Sequence, residues 1–124
     1  MKLEPDMKPT SQLGILVIGA DMALAYLIGR YAEQGGYGFT TRQTIPSIVD
    51  VCSLQPIALF FLSFESLGAA QLLIADLGNC DIPVLVCSSV DDKARARELG
   101  ADYCLVHPLT YNNFLAALAA TEVP

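Results

Sequence analysis

Three short segments of this chain are apolar at every position: Ile15-Leu16-Val17-Ile18, Ile57 to Leu62 (Ile-Ala-Leu-Phe-Phe-Leu) and Val84-Leu85-Val86-Cys87. A strand with one wet face alternates apolar and polar residues, so a run without a polar position belongs to a strand covered on both sides. Between the runs the apolar spacing changes to that of helices. Strict βα alternation with doubly covered strands leaves essentially one architecture, an open parallel sheet with helices on both faces and right-handed crossovers.

The remaining elements follow from local signals. Residues 1–12, with Pro5, Pro9 and no periodicity, read as an N-terminal tail, and structure is expected from Leu13. Asp21 is placed to cap a first helix with Met22, Ala25, Leu27, Ile28 and Tyr31 inward, closed by Gly35-Gly36. Tyr37 to Arg42 is a brief strand. Ile45 to Leu54 reads as a helix with Pro46 in its first turn and Ile48, Val49 and Cys52 inward. One helix is expected from Ser66 to Gly78, one from Asp92 to Leu99 capped by Asp91 and closed by Gly100, and a last one capped by Thr110 with Phe114, Leu115 and Leu118 inward. Tyr103 to Val106 supplies the fifth strand. The expected domain spans 13–121, with 122–124 as a C-terminal tail.

Composition narrows the function classes. A chain of 124 residues that is 53% hydrophobic and 16% charged suits one domain with a real core. Its net charge of −6 and its scattered Lys and Arg argue against nucleic acid or an anionic membrane as a partner. The start has no signal-like apolar stretch, and Leu13 to Gly29 divides into a strand and a helix rather than a membrane span. Cys52, Cys80, Cys87 and Cys104 form no CxxC pair and no cluster with the single His107, which points to buried thiols in a reducing cytoplasm rather than to a metal or a disulfide.

The second half carries motifs. Ile82-Pro83-Val84-Leu85-Val86-Cys87-Ser88-Ser89, followed by Glu98-Leu99-Gly100-Ala101-Asp102-Tyr103-Cys104-Leu105-Val106-His107-Pro108-Leu109, resembles the IPVIVLSA and ELGADDYLVKPL wording of response regulator receiver domains, the CheY-like family. In the first half ILVIGAD resembles ILVVDDE, and Gln55-Pro56 with the strand after it resembles RPDLVLLD. The resemblance covers about residues 13 to 120 and implies a (βα)5, flavodoxin-like three-layer sandwich. It also implies a cis bond before Pro108.

In that family two acids after the first strand hold magnesium, an aspartate ending the third strand takes the phosphoryl group, and a hydroxyl and a lysine ending the fourth and fifth strands contact it. Phosphoryl transfer needs a hard cation on carboxylates, an aligned nucleophile and a fixed cation. Here the acidic pair falls on Gly19 and Ala20, with Asp21 alone beside them, and the nucleophile on Leu62, or on Ser63 if the strand slips by one. Ser88 matches the hydroxyl, and His107 stands for the lysine. The resemblance with these departures implies a receiver-like module that takes up no phosphoryl group, uses no metal or cofactor and catalyses nothing. Its partner would be a signalling protein (a sensor kinase, regulator or output domain) or a second copy, and Tyr103, Tyr111 and Asn112 mark the expected interface.

Other readings are weaker on the residues. Gly19 to Ala23 lacks the further glycines of a dinucleotide loop. Ser63, Ser88 and His107 have no oxyanion motif beside them, and His107 reads as a hydrogen-bonding residue at a strand end. Residues 91–98 form a solvated charged face, on a helix about one turn shorter than usual in the family. Two alternatives stay open: a small uncharged ligand above Gly19, Leu62 and Ser88, and phosphorylation on an unaligned carboxylate such as Asp21 or Glu65.

Overall fold

The computed structural model of the chain describes residues 14–78 and 80–121, so the expected tails at 1–12 and 122–124 lie outside the described residues. Five parallel strands form one sheet: β1 (Gly14–Ile18), β2 (Gly38–Arg42), β3 (Ala58–Phe61), β4 (Val84–Ser88) and β5 (Tyr103–Val106), in the order β2-β1-β3-β4-β5. The order reverses between β1 and β3, the switch point at whose carboxyl ends flavodoxin-like sheets place their sites.

Alternation along each strand sends side chains to two cores. Ile15, Val17, Phe60, Leu85 and Leu105 pack under α1 (Met22–Gln34) and α6 (Tyr111–Ala120). Leu16, Ile18, Leu59, Phe61 and Val86 pack under α2 (Ile48–Leu54), α3 (Phe64–Ala69), α4 (Gln71–Asp76) and α5 (Lys93–Glu98). Phe60 and Phe114 stack at 5.5 Å in the first core. Both are fully buried, and each such side chain contributes roughly 1.5–3 kcal/mol.

Several expectations change in detail. Met22 does not face inward: it is 59% exposed, because the buried stripe of α1 is Leu24, Ala25, Ile28 and Ala32, and at 100° per residue Met22 lies well off it. Ser47 caps α2, accepting from the Asp50 N–H at 3.1 Å, so Pro46 stays outside the helix and the register turns Val51 inward. Val49 is then 71% exposed, and Cys52 is exposed as well.

The single helix expected over 66–78 is two. Ala70 N–H bonds back three residues to the Leu67 carbonyl, and the Gln71 side-chain amide takes the same carbonyl at 3.0 Å while bridging to the Leu99 carbonyl at 2.8 Å. That carbonyl, turned to these two donors, ends α3 at Ala69, so six helices rather than five stand among the described residues. Asp92, not Asp91, caps α5 through the Arg95 N–H. Of the thiols, Cys87 and Cys104 are buried but Cys52 and Cys80 are exposed.

Candidate functional site

The carboxyl ends of β1, β3, β4 and β5 bring Gly19, Leu62, Ser88 and His107 to one end of the sheet, in register through the pairs Ile18↔Phe61, Phe61↔Val86 and Ser88↔Val106. At the β1 end, Gly19 is buried with φ 144°, a conformation that favours glycine, and its N–H donates to the Arg42 carbonyl at 2.9 Å. A Cβ at this position would lie 2.8 Å from Leu62 Cβ and 3.1 Å from its Cγ and Cδ1. Glycine and leucine therefore fit one another, and there is no room for a side chain at 19.

Leu62 follows β3 and donates its N–H to the Ile18 carbonyl at 2.9 Å. Its side chain is 4% exposed and belongs to the α1/α6 core, among Val17, Phe60 and Leu109. On the Gly19 side, the space that the sequence leaves for a small uncharged molecule is taken by this side chain.

Asp21, Ser63 and Ser88 each have a local occupation. The Asp21 carboxylate accepts from the Leu24 N–H at 3.0 Å as the α1 cap. Ser63 Oγ caps α3, accepting from the Ser66 N–H at 3.1 Å and sharing a hydrogen bond with Ser66 Oγ at 3.0 Å. Ser88 is buried, and its Oγ accepts from the Val90 N–H at 3.1 Å. The peptide bond between His107 and Pro108 is cis, as the resemblance implies, and His107 N–H donates to the Ser88 carbonyl at 3.0 Å. The expected side-chain hydrogen bond of His107 is not made: its imidazole is exposed and has no hydrogen-bond partner among the described residues. Ser63, Ser88 and His107 are not joined to one another by their side chains.

The donor set does not fit magnesium. Gly19 and Ala20 carry no side-chain oxygen, the Asp21 carboxylate is the helix cap, and among the described residues no three His, Cys, Asp or Glu side chains group closely enough to hold a metal ion. The carboxylate on the neighbouring α2 is also committed: Asp50 holds Arg42 through Nε at 2.9 Å and Nη2 at 3.3 Å, which raises the guanidinium pKa by hydrogen bonding and charge. This pair and the Gly19–Leu62 contact were missed from sequence; for the second, a glycine and a leucine at paired strand ends are the signal that was available.

At the expected interface, Asn112 is exposed, whereas Tyr103 and Tyr111 are half-buried against the first core. The Tyr111 ring sits 5.7 Å from Tyr31, whose hydroxyl donates to the Leu109 carbonyl. Beside Tyr103 is a recess of about 210 Å³ lined in part by Lys93, Arg97, Asp102 and Cys104. Burial raises the thiol pKa of Cys104, one of the recess residues, and pushes that of Cys87 on the adjacent strand up to about 12, with Cys104 adding to the effect there. Neither is a ready nucleophile.

No protein-family model matches the chain. No curated protein matches it either. Solved structures do. A chemotaxis protein, CheY4 of Vibrio cholerae, superposes with a TM-score of 0.70 at 14% identity over 91% of this chain and 99% of its own. A response regulator receiver protein from Burkholderia phymatum gives 0.69 at 18% identity, covering 91% and 98%. A response regulator from Burkholderia pseudomallei, solved with a phosphorylated aspartic acid and a calcium ion, gives 0.64 at 25% identity, covering 90% and 71%. The fold is that of CheY-like receiver domains over nearly the whole described chain.

Proposed function

We propose that this chain is a receiver-like signalling domain that takes up no phosphoryl group and acts as a phosphorylation-independent protein-interaction module of the cytoplasm, without enzymatic activity. The observation that carries the reading is Leu62: where a receiver presents its phosphoryl-accepting aspartate, this chain has a buried leucine packed on a glycine that replaces one of the metal-binding acids. Nucleophile and cation site are replaced together by one apolar contact, so a single reversion does not restore phosphoryl uptake. The sheet and both helical layers are kept, and the partner is a signalling protein or a second copy. No described helix is long and apolar enough to cross a membrane.

The test is incubation with acetyl phosphate and magnesium followed by intact-mass measurement. The reading expects an unchanged mass. A gain of one phosphoryl group on a carboxylate such as Asp21 or Glu65 would overturn it.

A further inference from the structure

The way the chain leaves α5 builds the recess beside Tyr103. α5 is capped at Leu99, Gly100 takes a φ of 97° that favours glycine, and the Ala101 N–H reaches back to the Ala96 carbonyl at 2.8 Å. That turn and the strand after it bring Ala96, Ala101 and Cys104 to one recess of about 210 Å³, and all three are buried. Its floor is therefore made of small apolar groups. Burial keeps the Cys104 thiol pKa above its ordinary value, so the sulfur is uncharged at neutral pH. Set position by position on the ELGADDYLVKPL wording, Glu98 to Leu109 places Cys104 at the tyrosine. A thiol thus stands where the resemblance has a ring.

The rim of the recess is cationic. Five Lys and Arg stand among the described residues, and three of them have side-chain partners: Arg42 holds Asp50, Arg30 donates to the Tyr26 hydroxyl at 3.1 Å, and the Arg95 guanidinium lies 5.1 Å from the Phe64 ring centroid. The other two, Lys93 and Arg97, have no side-chain hydrogen bond or ion pair among the described residues, and both line this recess. Four positions apart, they share a face of α5. The acid on the same lining, Asp102, is already committed. Its carboxylate accepts from the Val84 N–H at 2.8 Å, and its own N–H donates to the Val84 carbonyl at 2.6 Å. Of the acids at the start of α5, Asp92 is the helix cap and Asp91 lines the neighbouring recess. On a chain of net charge −6, this is where unpaired cations gather.

We propose that this recess binds a small aromatic carboxylate, its ring on the floor of Ala96, Ala101 and Cys104 and its acid group between Lys93 and Arg97. Volume and charge each select one part of the ligand. An apolar cavity of about 150 Å³ holds a benzene ring, so about 210 Å³ admits one ring with its acid group. At the rim, the arginine fork takes both carboxylate oxygens and the lysine adds a point charge. An uncharged ligand would leave both cations unused, and a short aliphatic acid would leave the floor uncovered. The site goes beyond the interaction role proposed above and does not rest on it. Because it borders Tyr103, its occupancy would alter the surface that a partner meets at the expected interface.

Amide NMR titration of the full chain with sodium benzoate, to about 20 mM at constant ionic strength, tests it. The expected result is saturable shifts at the Ala96, Ala101 and Cys104 amides, with a Kd on the order of 1 mM. Acetate, which lacks the ring, and benzyl alcohol, which lacks the charge, each bind at least about tenfold more weakly. Lys93→Gln combined with Arg97→Gln, on exposed side chains, weakens benzoate by at least about tenfold, whereas Arg30→Gln leaves it unchanged. Cys104→Tyr fills the recess and abolishes the shifts. Circular dichroism melts verify that each variant folds, and the double glutamine variant decides alone if Cys104→Tyr does not. Absence of saturable shifts at the three amides, acetate binding as tightly as benzoate, or binding indifferent to the double variant overturns the proposal. The acetyl phosphate result is independent: a chain that is phosphorylated and still binds benzoate here would sink the phosphorylation-independent reading and leave the site standing.

Discussion

Replacing Leu62 by aspartate puts a carboxylate where the resemblance places the family's nucleophile, and the packing around Leu62 says what should follow. Leu62 is almost wholly buried over Gly19, so the variant loses a leucine's worth of apolar burial, about 1.5–3 kcal/mol, and leaves space that its packed neighbours refill only in part. The introduced carboxyl also meets a core without a described cation beside it, so burial raises its pKa above the unfolded value near 3.9. The sign follows. A carboxyl raised in the folded state leaves stability intact below its unfolded pKa and removes it as pH climbs toward the folded value, by about 1.4 kcal/mol per unit. We expect a total loss of about 3–5 kcal/mol at pH 7, a smaller loss at pH 4, and about the loss of Leu62→Asn at the acid end. Urea unfolding of the three proteins at both pH values measures this, and intact mass after acetyl phosphate treatment is expected to stay unchanged. A Leu62→Asp protein as stable as the parent at pH 7, or one that accepts a phosphoryl group, would show that a polar pocket exists here and refute the reasoning.

Three further outcomes follow from single positions. Gly19→Ala is expected to cost roughly 2 kcal/mol or more in urea unfolding, since it combines a φ of 144° with a Cβ 2.8 Å from Leu62 Cβ; a neutral substitution would mean that the β1 end is loosely packed. Stability should fall between pH 9 and 11 by about 1.4 kcal/mol per unit for Cys87 alone, because its thiol is held up to about 12 in the fold while the unfolded chain ionises near 9.0, and Cys87→Ala should flatten that slope. A thiol reagent should modify Cys52 and Cys80 in the native protein and reach Cys87 and Cys104 only on unfolding, which mass spectrometry with and without denaturant resolves.

The sheet was legible because its three central strands are apolar on both sides, and the Tyr103–Val106 strand and the Thr110 cap with the helix to Ala120 also appear where local rules put them. Helix faces were less so. Met22, Val49 and Cys52 are apolar or small residues at plausible spacing; the Asp21 cap was read correctly while Met22 still falls off the buried stripe, and at the second helix the unread Ser47 cap sets the register, a matter of one hydrogen bond that composition does not rank. The split at Ala70 depends on Gln71 reaching Leu99, a contact across 28 positions that local periodicity contains no trace of. At the sheet's carboxyl end, the identities at Gly19, Ala20, Leu62 and Ser88 could be read directly, whereas the reason they belong together, a leucine side chain resting on a glycine, is tertiary.

A two-dimensional amide NMR titration with magnesium and beryllofluoride, a mimic of the phosphoryl group, bears most directly on whether this receiver fold has given up phosphoryl chemistry. The account predicts no saturable shifts at Ala20, Leu62 or Ser88, because the cation has no carboxylate pair and the mimic no nucleophile to bond. Saturable shifts at those three amides would contradict it and make the domain a working phosphoryl switch.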